Sequence, residues 1–350
     1  MEFQCHGGAV TPRRVLEACF AAGARPARRG EFTERAFLNG RLDYDQAESV
    51  LNLIEAKTER AADAALEGLA GRRQRDAHEL YEQALTASSE LEHALDIDEG
   101  ELPPSFFERL REMLVGLDAA LAAALARAHE GRLLRDGALV VLAGPPNAGK
   151  SSLLNALVGE SRAIVSATPG TTRDSIEAWI DLGGWPVRLV DTAGLRETSD
   201  EIEAEGVRRA ERLIEDAEVV IELTSPRRLE RSKTIPINAK CDLARSDSLL
   251  NVSAKTGEGL DSLKREIVAR LEAKAADAEA GCGDAERGEA AFRAARRALA
   301  PFLADDAESL DLVLAGNVVR GVAESLGALV GATYSADLLD RLFTRFCVGK

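Results

Sequence analysis

The spacing of apolar residues divides the chain into three textures. Between residues 42 and 95, apolar positions recur at three- and four-residue steps (Ala47, Val50, Leu51, Ile54, Ala61, Ala65, Leu69), with Glu and Arg on the opposite face. This spacing predicts a long amphipathic helix. Leu102-Pro103-Pro104-Ser105 breaks it, and an alanine- and leucine-rich helix is expected over 106–129. Alanine-rich helices approach one another closely, which points to a bundle. From Gly137 to about Leu271, short apolar runs alternate with helical patterns. Strands are expected at 139–142, 176–182, 187–190, 219–223, 234–237 and 249–252, with a hairpin around Gly183-Gly184. Helices are expected at 202–215 and 260–271. That alternation is the pattern of a doubly wound, mostly parallel sheet. The polar stretch 275–288 reads as a linker, after which helical spacing returns through Phe292, Ala295, Leu299, Phe302, Leu314, Val318, Val322 and Leu326.

Residues 1–40 have a different character. Met1-Glu2-Phe3-Gln4 reads as a strand, 11–22 as a helix with Val15, Leu16, Cys19 and Phe20 on one face, and a second short helix ends at Gly40. The simplest architecture is an α/β P-loop domain inserted into one all-α domain built from both flanks; independent helical domains on each side are the alternative. The expected boundaries are 1–40, 41–134 and 135–273, with 274–350 as the second part of the helical domain.

Composition narrows the class. The chain has 350 residues, 45% hydrophobic and 29% charged, an ordinary globular composition for about two or three domains. No apolar run approaches the roughly 20 residues of a membrane helix, and the N-terminus lacks a basic-then-apolar leader. The five cysteines are scattered without a C-x-x-C pair, which disfavours disulfides or zinc and fits a reducing cytoplasm. The net charge of −15 means that any work on RNA needs a local basic patch or a partner.

The candidate chemistry sits in the middle texture. Gly144, Gly149, Lys150 and Ser151 fit G-x-x-x-x-G-K-[ST] between a strand and a helix, the phosphate-binding loop. The glycines let consecutive N–H groups face phosphate oxygens, the following helix adds its positive end, Lys150 supplies a point charge and the Ser151 hydroxyl can hold Mg²⁺. Thr171-Thr172-Arg173-Asp174 occupies the place of a first switch, with Thr172 assigned to Mg²⁺ and the γ-phosphate. Asp191-Thr192-Ala193-Gly194 follows an apolar strand, so Asp191 would act on Mg²⁺ through its shell and the Gly194 N–H would sense the γ-phosphate. In Lys240-Cys241-Asp242 the carboxylate can accept from guanine N1–H and its exocyclic amine, and Ser253-Ala254-Lys255 would cover the base. With Ala148 and Ser152 beside the loop lysine, this set predicts a GTP site.

Two positions depart from the usual GTPase pattern. The base motif normally reads Asn-Lys-x-Asp, where the Asn ties neighbouring loops together and helps bind the base. Ala239 stands there, and Asn238 lies one position early and would point elsewhere. Weaker or less selective guanine binding is expected, with GTP kept over ATP because Asp242 remains. The residue after Asp-Thr-Ala-Gly is Leu195 rather than a water-orienting Gln. The acidic stretch 195–203 offers carboxylates that could position water, or it is a solvated loop with no role.

Taken together, these pieces resemble the tRNA-modification GTPase family MnmE, also called TrmE. The resemblance is carried by the run from Gly30-Glu31-Phe32-Thr33 to Asn39, the Gly-x-Pro-Asn-Ala-Gly-Lys-Ser loop, Pro169-Gly170-Thr171-Thr172-Arg173-Asp174, Asp191-Thr192-Ala193-Gly194-Leu195-Arg196 and the terminal Phe346-Cys347-Val348-Gly349-Lys350. It spans essentially the whole chain. It implies a folate-binding N-terminal domain, a helical domain and an inserted G domain. It also implies GTP hydrolysis that depends on K⁺ and on G-domain dimerisation. The partner would be an MnmG-type flavoprotein in a heterotetramer, and the substrate the C5 position of a tRNA wobble uridine.

By position, the resemblance assigns Asn147, Ser166, Thr168 and Thr171 to K⁺, with Asn147 and Ser166 also beside the nucleotide. It assigns Glu203 to the water-orienting glutamate, Cys347 to the modification step, and Glu2, Arg41 and Lys350 to a tetrahydrofolate derivative. Most of the family's N-terminal domain precedes the Gln-x-His-Gly-Gly turn. The chain therefore reads as a truncated or mis-started member with weakened folate binding, and 1–40 as a remnant that would also serve homodimerisation beside the G domains. A nucleotide-switched regulatory scaffold and a ribosome-assembly GTPase are the rival readings.

Overall fold

In the computed structural model, residues 2–97, 102–164, 177–192, 200–223, 232–277, 287–304 and 311–330 are described. The chain divides into two compact units, Met1–Leu51 with Thr333–Lys350, and Asn52–Ala332.

In the first unit, residues 2–7 form no strand; none of the described residues of the unit offers a strand to pair with. Helix α1 (Thr11–Ala21) starts with a proline in its first turn and buries no residue, leaving Leu16 and Phe20 exposed. Helix α2 (Glu31–Leu38) is entered through Gly30 at φ 65, a left-handed backbone that favours glycine. Its first residue, Glu31, is buried and fully engaged. The carboxylate accepts from Arg25 at 2.6 and 2.9 Å, from Arg35 at 2.9 Å and from the Arg28 backbone N–H at 2.8 Å. Helix α3 (Tyr44–Glu55) opens on a reciprocal cap, in which the Gln46 N–H donates to Asp43 at 2.7 Å and the Asp43 N–H to Gln46 at 3.0 Å. Ala47 and Leu51 form its small core with Phe37 and Tyr44.

The long helix expected over 42–95 is three helices. After α3, Thr58 adopts extended backbone and accepts from the Ala61 N–H at 3.2 Å, starting α4 (Glu59–Leu69). Gly71 at φ 78 then separates α4 from α5 (Arg72–Leu95). Both stops are capping events that the apolar spacing does not register. Helix α6 (Pro104–Asp136) runs seven residues beyond the expected 129 and feeds directly into β1 (Ala138–Ala143).

Every residue of β1 is buried, because a strand covered on both faces reads as a continuous apolar run. It is followed by α7 (Lys150–Glu160), the short β2 (Arg162–Ala163), β3 (Glu177–Leu182) and β4 (Trp185–Asp191). Then come α8 (Asp200–Asp216), β5 (Val219–Leu223), β6 (Thr234–Asn238), β7 (Leu250–Asn251) and α9 (Leu260–Ala276). The sheet order is β2-β3-β4-β1-β5-β6-β7, with β1 parallel to both β4 and β5 and only the β2-β3-β4 edge antiparallel. Val140 and Leu142 pack with α7 and α9 residues such as Leu157 and Ile267. Leu139 and Val141 face the other way, toward Leu213 and Ile214 of α8. The sheet is therefore doubly wound. Among the strands of the described residues, sequence reading missed β2, whose two residues carry no pattern.

Helices α10 (Arg287–Ala304) and α11 (Leu312–Val330) return after the sheet. Leu80, Ala84 and Leu91 of α5, Leu110, Leu117 and Leu121 of α6, Leu299 of α10 and Val319 and Leu326 of α11 share one core. Helices from both flanks thus form one bundle around an inserted α/β domain, rather than two independent domains. Arg296 of α10 locks to Asp118 of α6 at 2.9 and 3.3 Å. Small residues allow the closest crossing, since a Cβ on Gly327 would lie 3.0 Å from the Tyr81 ring. Sequence reading found no run suited to a membrane, yet α11 is, by length and composition, long and apolar enough to cross one. Its buried stripe, with Val319 and Leu326, packs into the bundle core with α5, Val313 and Leu314 stay exposed, and its Arg320 pairs with Glu92 at 2.9 Å.

The sheet is fastened to the helices through both tryptophans of the chain. Lys57 lies over Trp179 at 4.4 Å and Arg60 over the fully buried Trp185 at 4.1 Å, while Arg60 also bonds Glu130 of α6 at 2.6 Å. Replacing Arg60 with Ala is expected to cost about 1 kcal/mol, mostly the cation–π contact, because the partly exposed ion pair adds little. Urea unfolding followed by tryptophan emission measures this, and a native-state emission maximum unchanged by the substitution would count against the contact. In the first unit, Arg25, then the Arg28 N–H and the charge of Arg35, hold the Glu31 carboxyl at about 2, below its ordinary 4.5. A depressed folded-state value stabilises above the unfolded value and is lost on acidification, so the loss should run from about pH 4.5 down to about pH 2. In Glu31→Gln, acid titration of α2 by amide NMR should lack this component.

Candidate functional site

The phosphate loop is shaped by how closely β1 runs beside β5. Gly144 has φ 150, and a Cβ there would stand 2.8 Å from the Leu223 carbonyl oxygen, so the chain turns out of the sheet only as glycine. Asn147 is the one non-glycine residue with positive φ among the described residues, at 60°, a conformation that asparagine tolerates better than most side chains. Gly149 at φ 101 then caps α7. The α7 N-terminus turns the positive end of its helix dipole toward the loop, a setting that favours an anion.

Lys150 is only 4% exposed, and its ammonium donates to the Gly144 and Pro145 carbonyls at 3.0 and 2.9 Å. A buried ammonium is thereby held across the mouth of the loop. Ser151 donates to the Asp191 carboxylate at 2.5 Å, and Asp191 is 3% exposed at the end of β4. These two oxygens, a hydroxyl and a carboxylate, are the hard donor type that a divalent cation takes. The Thr192 hydroxyl donates to the Leu142 carbonyl at 2.9 Å, which ties the residue after Asp191 back to β1. Ser152 is exposed on α7 and Ala148 is buried beneath the loop.

The base loop follows β6. The Lys240 ammonium donates to the Asn147 carbonyl at 2.9 Å, and its chain passes over Gly149, so one side chain joins base loop to phosphate loop. The Asp242 carboxylate accepts from the buried Ser253 hydroxyl at 2.8 Å, which in turn accepts from the Thr256 N–H at 3.3 Å. The turn that carries Ser253, Ala254 and the exposed Lys255 closes against Gly259, where a Cβ would strike the Asn251 carbonyl. Ala239 is buried and brings no polar atom. Asn238 points away from the phosphate loop, with its amide on the Ala244 carbonyl at 2.6 Å and Asn251 at 2.9 Å. Burial, with the charge of Glu258 next, pushes the Cys241 thiol above its ordinary value, so this cysteine is an inert loop residue.

The structure thus brings together Asn147, Gly149, Lys150, Ser151, Asp191, Thr192, Lys240, Asp242 and Ser253 at the carboxyl ends of β1, β4 and β6, where open α/β sheets bind ligands. Ser166, Thr168, Thr171, Thr172, Ala193, Gly194, Cys347 and Lys350 lie outside the described residues, as does the side chain of Glu203. Glu2 and Arg41 are both exposed. Sequence reasoning missed the loop-joining role of Lys240 and the part played by Asn251, which no motif flags.

Comparison with known proteins gives the family. The MnmE helical domain model matches residues 45–347, and the model for the N-terminus of the GTP-binding protein TrmE matches residues 1–41. The tRNA modification GTPase MnmE of Moorella thermoacetica is 43% identical over 382 residues, covering 100% of this chain and 82% of that protein. A protein of the same name from Thermus thermophilus is 41% identical over 364 residues, covering 100% and 81%. Among solved structures, the G domain of the T. maritima FeoB iron transporter is 29% identical with a TM-score of 0.28, covering 38% of this chain and 98% of that one. Era from Aquifex aeolicus, bound to GDP and AlF4−, is 22% identical with a TM-score of 0.29, covering 46% and 66%. With both family models and relatives matched along its whole length, the chain belongs to the MnmE family of tRNA-modification GTPases.

Proposed function

We propose that this chain is the GTP-hydrolysing component of a system that modifies the C5 position of a tRNA wobble uridine in the cytoplasm. It would act as a G-domain dimer with an MnmG-type flavoprotein. The observation that carries the nucleotide part is the closure of base loop on phosphate loop through Lys240 and Asn147, with Asp242 already oriented by Ser253. Family membership supports the tRNA part.

Roles follow from the chemistry of each residue. The α7 N-terminus and Lys150 bind the phosphates, and Asp242 reads the guanine edge. Ser151 and Thr172 would hold Mg²⁺, which when bound neutralises phosphate charge; the convergence of Ser151 and Asp191 oxygens fits such an ion. Asn147, Ser166, Thr168 and Thr171 would hold K⁺, which supplies the positive charge that an arginine finger gives elsewhere. The left-handed backbone at Asn147 leaves its side chain exposed at the loop rim, as a cation ligand requires. Glu203 would orient the attacking water in place of the residue that Leu195 replaces. Glu2, Arg41 and Lys350 are assigned to the tetrahydrofolate derivative, and Cys347 to the modification step, by family position alone.

GTP hydrolysis measured in K⁺ and in Na⁺ tests the cation assignment, and equal rates would sink it. In Asn147→Gly, which keeps the positive φ and removes the amide, the K⁺ advantage should fall below about twofold while GDP still binds. Glu203→Gln should lower kcat by about 100-fold with GDP affinity unchanged, and a kcat within about threefold of the unmodified chain would return that glutamate to the status of a surface charge.

A further inference from the structure

Asn238 and Asn251 end β6 and β7 as register neighbours. Their side chains form a closed polar ring with the return arm of the base loop. Asn251 Oδ1 accepts from Asn238 Nδ2 at 2.9 Å and from the Ser246 N–H at 2.9 Å. Asn251 Nδ2 donates to the Ser246 carbonyl at 2.7 Å, and Asn238 Nδ2 donates to the Ala244 carbonyl at 2.6 Å. Asn251 therefore makes a two-point contact with the backbone of one residue, which requires a side chain that both donates and accepts.

Residues 244–246 follow directly on Lys240-Cys241-Asp242. The near arm of the loop is held by backbone bonds, Val252 N–H to the Asn238 carbonyl at 2.8 Å and Cys241 N–H to the Val252 carbonyl at 3.2 Å. Its far arm is held by the backbone turn in which the Leu243 and Ala244 N–H groups donate to the Lys240 carbonyl at 2.9 and 3.3 Å, by the asparagine ring, and by the exposed Arg245–Glu258 ion pair, which contributes little at the surface. The side chain at 239 adds nothing, since alanine has no polar atom.

We propose that Asn238 and Asn251 are positioning residues for guanine recognition. They fix the loop from behind, so that Asp242 meets the base already oriented, in a chain that lacks the Asn normally tying this loop forward. Neither residue touches the nucleotide; they act by removing the ordering cost of the loop. The inference rests on the guanine-nucleotide reading of this site and deepens it.

The test is stopped-flow release of mant-GDP and mant-IDP from the full chain, with GTP turnover at saturation. IDP lacks the exocyclic amine, so the GDP-over-IDP preference reports how well Asp242 is placed. Asn251→Ala should release mant-GDP about tenfold faster, as expected for lost hydrogen bonds in a coupled ring, and should shrink the GDP preference. Its kcat at saturating GTP should stay within about twofold, because the phosphate loop is untouched. Asn238→Ala should change release in the same direction, and the double variant should be no worse than Asn251→Ala, since both act through one ring. If Asn251→Ala does not fold, Asn238→Ser keeps the Asn251–Ser246 contact and should still speed release about threefold. A folded variant with unchanged release and unchanged preference overturns the inference. Failure of the underlying reading looks different: the unmodified chain would then bind mant-ADP as well as mant-GDP.

Discussion

The site depends on one close approach, that of Gly144 to Leu223. β1 lies between β4 and β5 with all its side chains buried, so its position is fixed from both sides and both faces. Its exit is then constrained by a carbonyl 2.8 Å from where a Cβ would stand. A chain leaving the sheet at that point must turn sharply, and the turn places the α7 N-terminus over the sheet edge. The positions of Lys150, Ser151 and Asn147 follow from that turn. Those of Asp191 and Asp242 follow from the neighbouring strands ending at the same level. Hydrophobic burial sets the geometry, and the polar chemistry is hung on it.

The helices do more than enclose the sheet. β3 begins after residue 176 and β4 ends at Asp191, so the hairpin joins the two stretches where the switch motifs stand in the sequence. Lys57 and Arg60 grip this hairpin by its two tryptophans, and Arg60 continues to α6. Helix α6 in turn shares the bundle core with α5, α10 and α11. A displacement of the hairpin would therefore load the cation–π contacts and α6 rather than a linker. The inserted domain is mechanically continuous with the bundle that carries it.

Much of this was legible in the residue pattern, and the failures have physical causes. The strands around β1 and the bundle helices follow from burial, which dictates apolar spacing. The breaks at Thr58 and Gly71 do not, because a cap is a local hydrogen bond or a left-handed backbone and leaves the apolar stripe intact. In the site, Gly144, Gly149, Lys150, Ser151, Asp191 and Asp242 could be picked out as candidates because binding phosphate, cation and guanine would each demand a specific atom at a specific spacing, and the structure sets these residues at the carboxyl ends of β1, β4 and β6. The Lys240–Asn147 link spans 93 residues and ends on a backbone carbonyl, for which no side-chain motif exists. Glu31 was legible only as part of a family motif. Its arginine and backbone partners show that its place in that motif is also structural.

The same distinction governs how Ala239 should be weighed. A motif names atoms that touch a ligand, so a missing one reads as lost affinity. Yet Asp242 can bind guanine only if its loop is ordered first, and that ordering is independent of which residue supplies it. A forward tie from position 239 and a rear clamp from Asn238 and Asn251 reach the same end, because both replace solvent contacts of the loop backbone with fixed ones. The clamp has one further property. Asn251 bonds Ser246 through its backbone rather than its side chain, so the sequence of the gripped arm is free to change while the grip persists. Selectivity for the base then resides in strand ends that no nucleotide-binding motif includes, and the departure at 239 marks a relocation of the support rather than its loss.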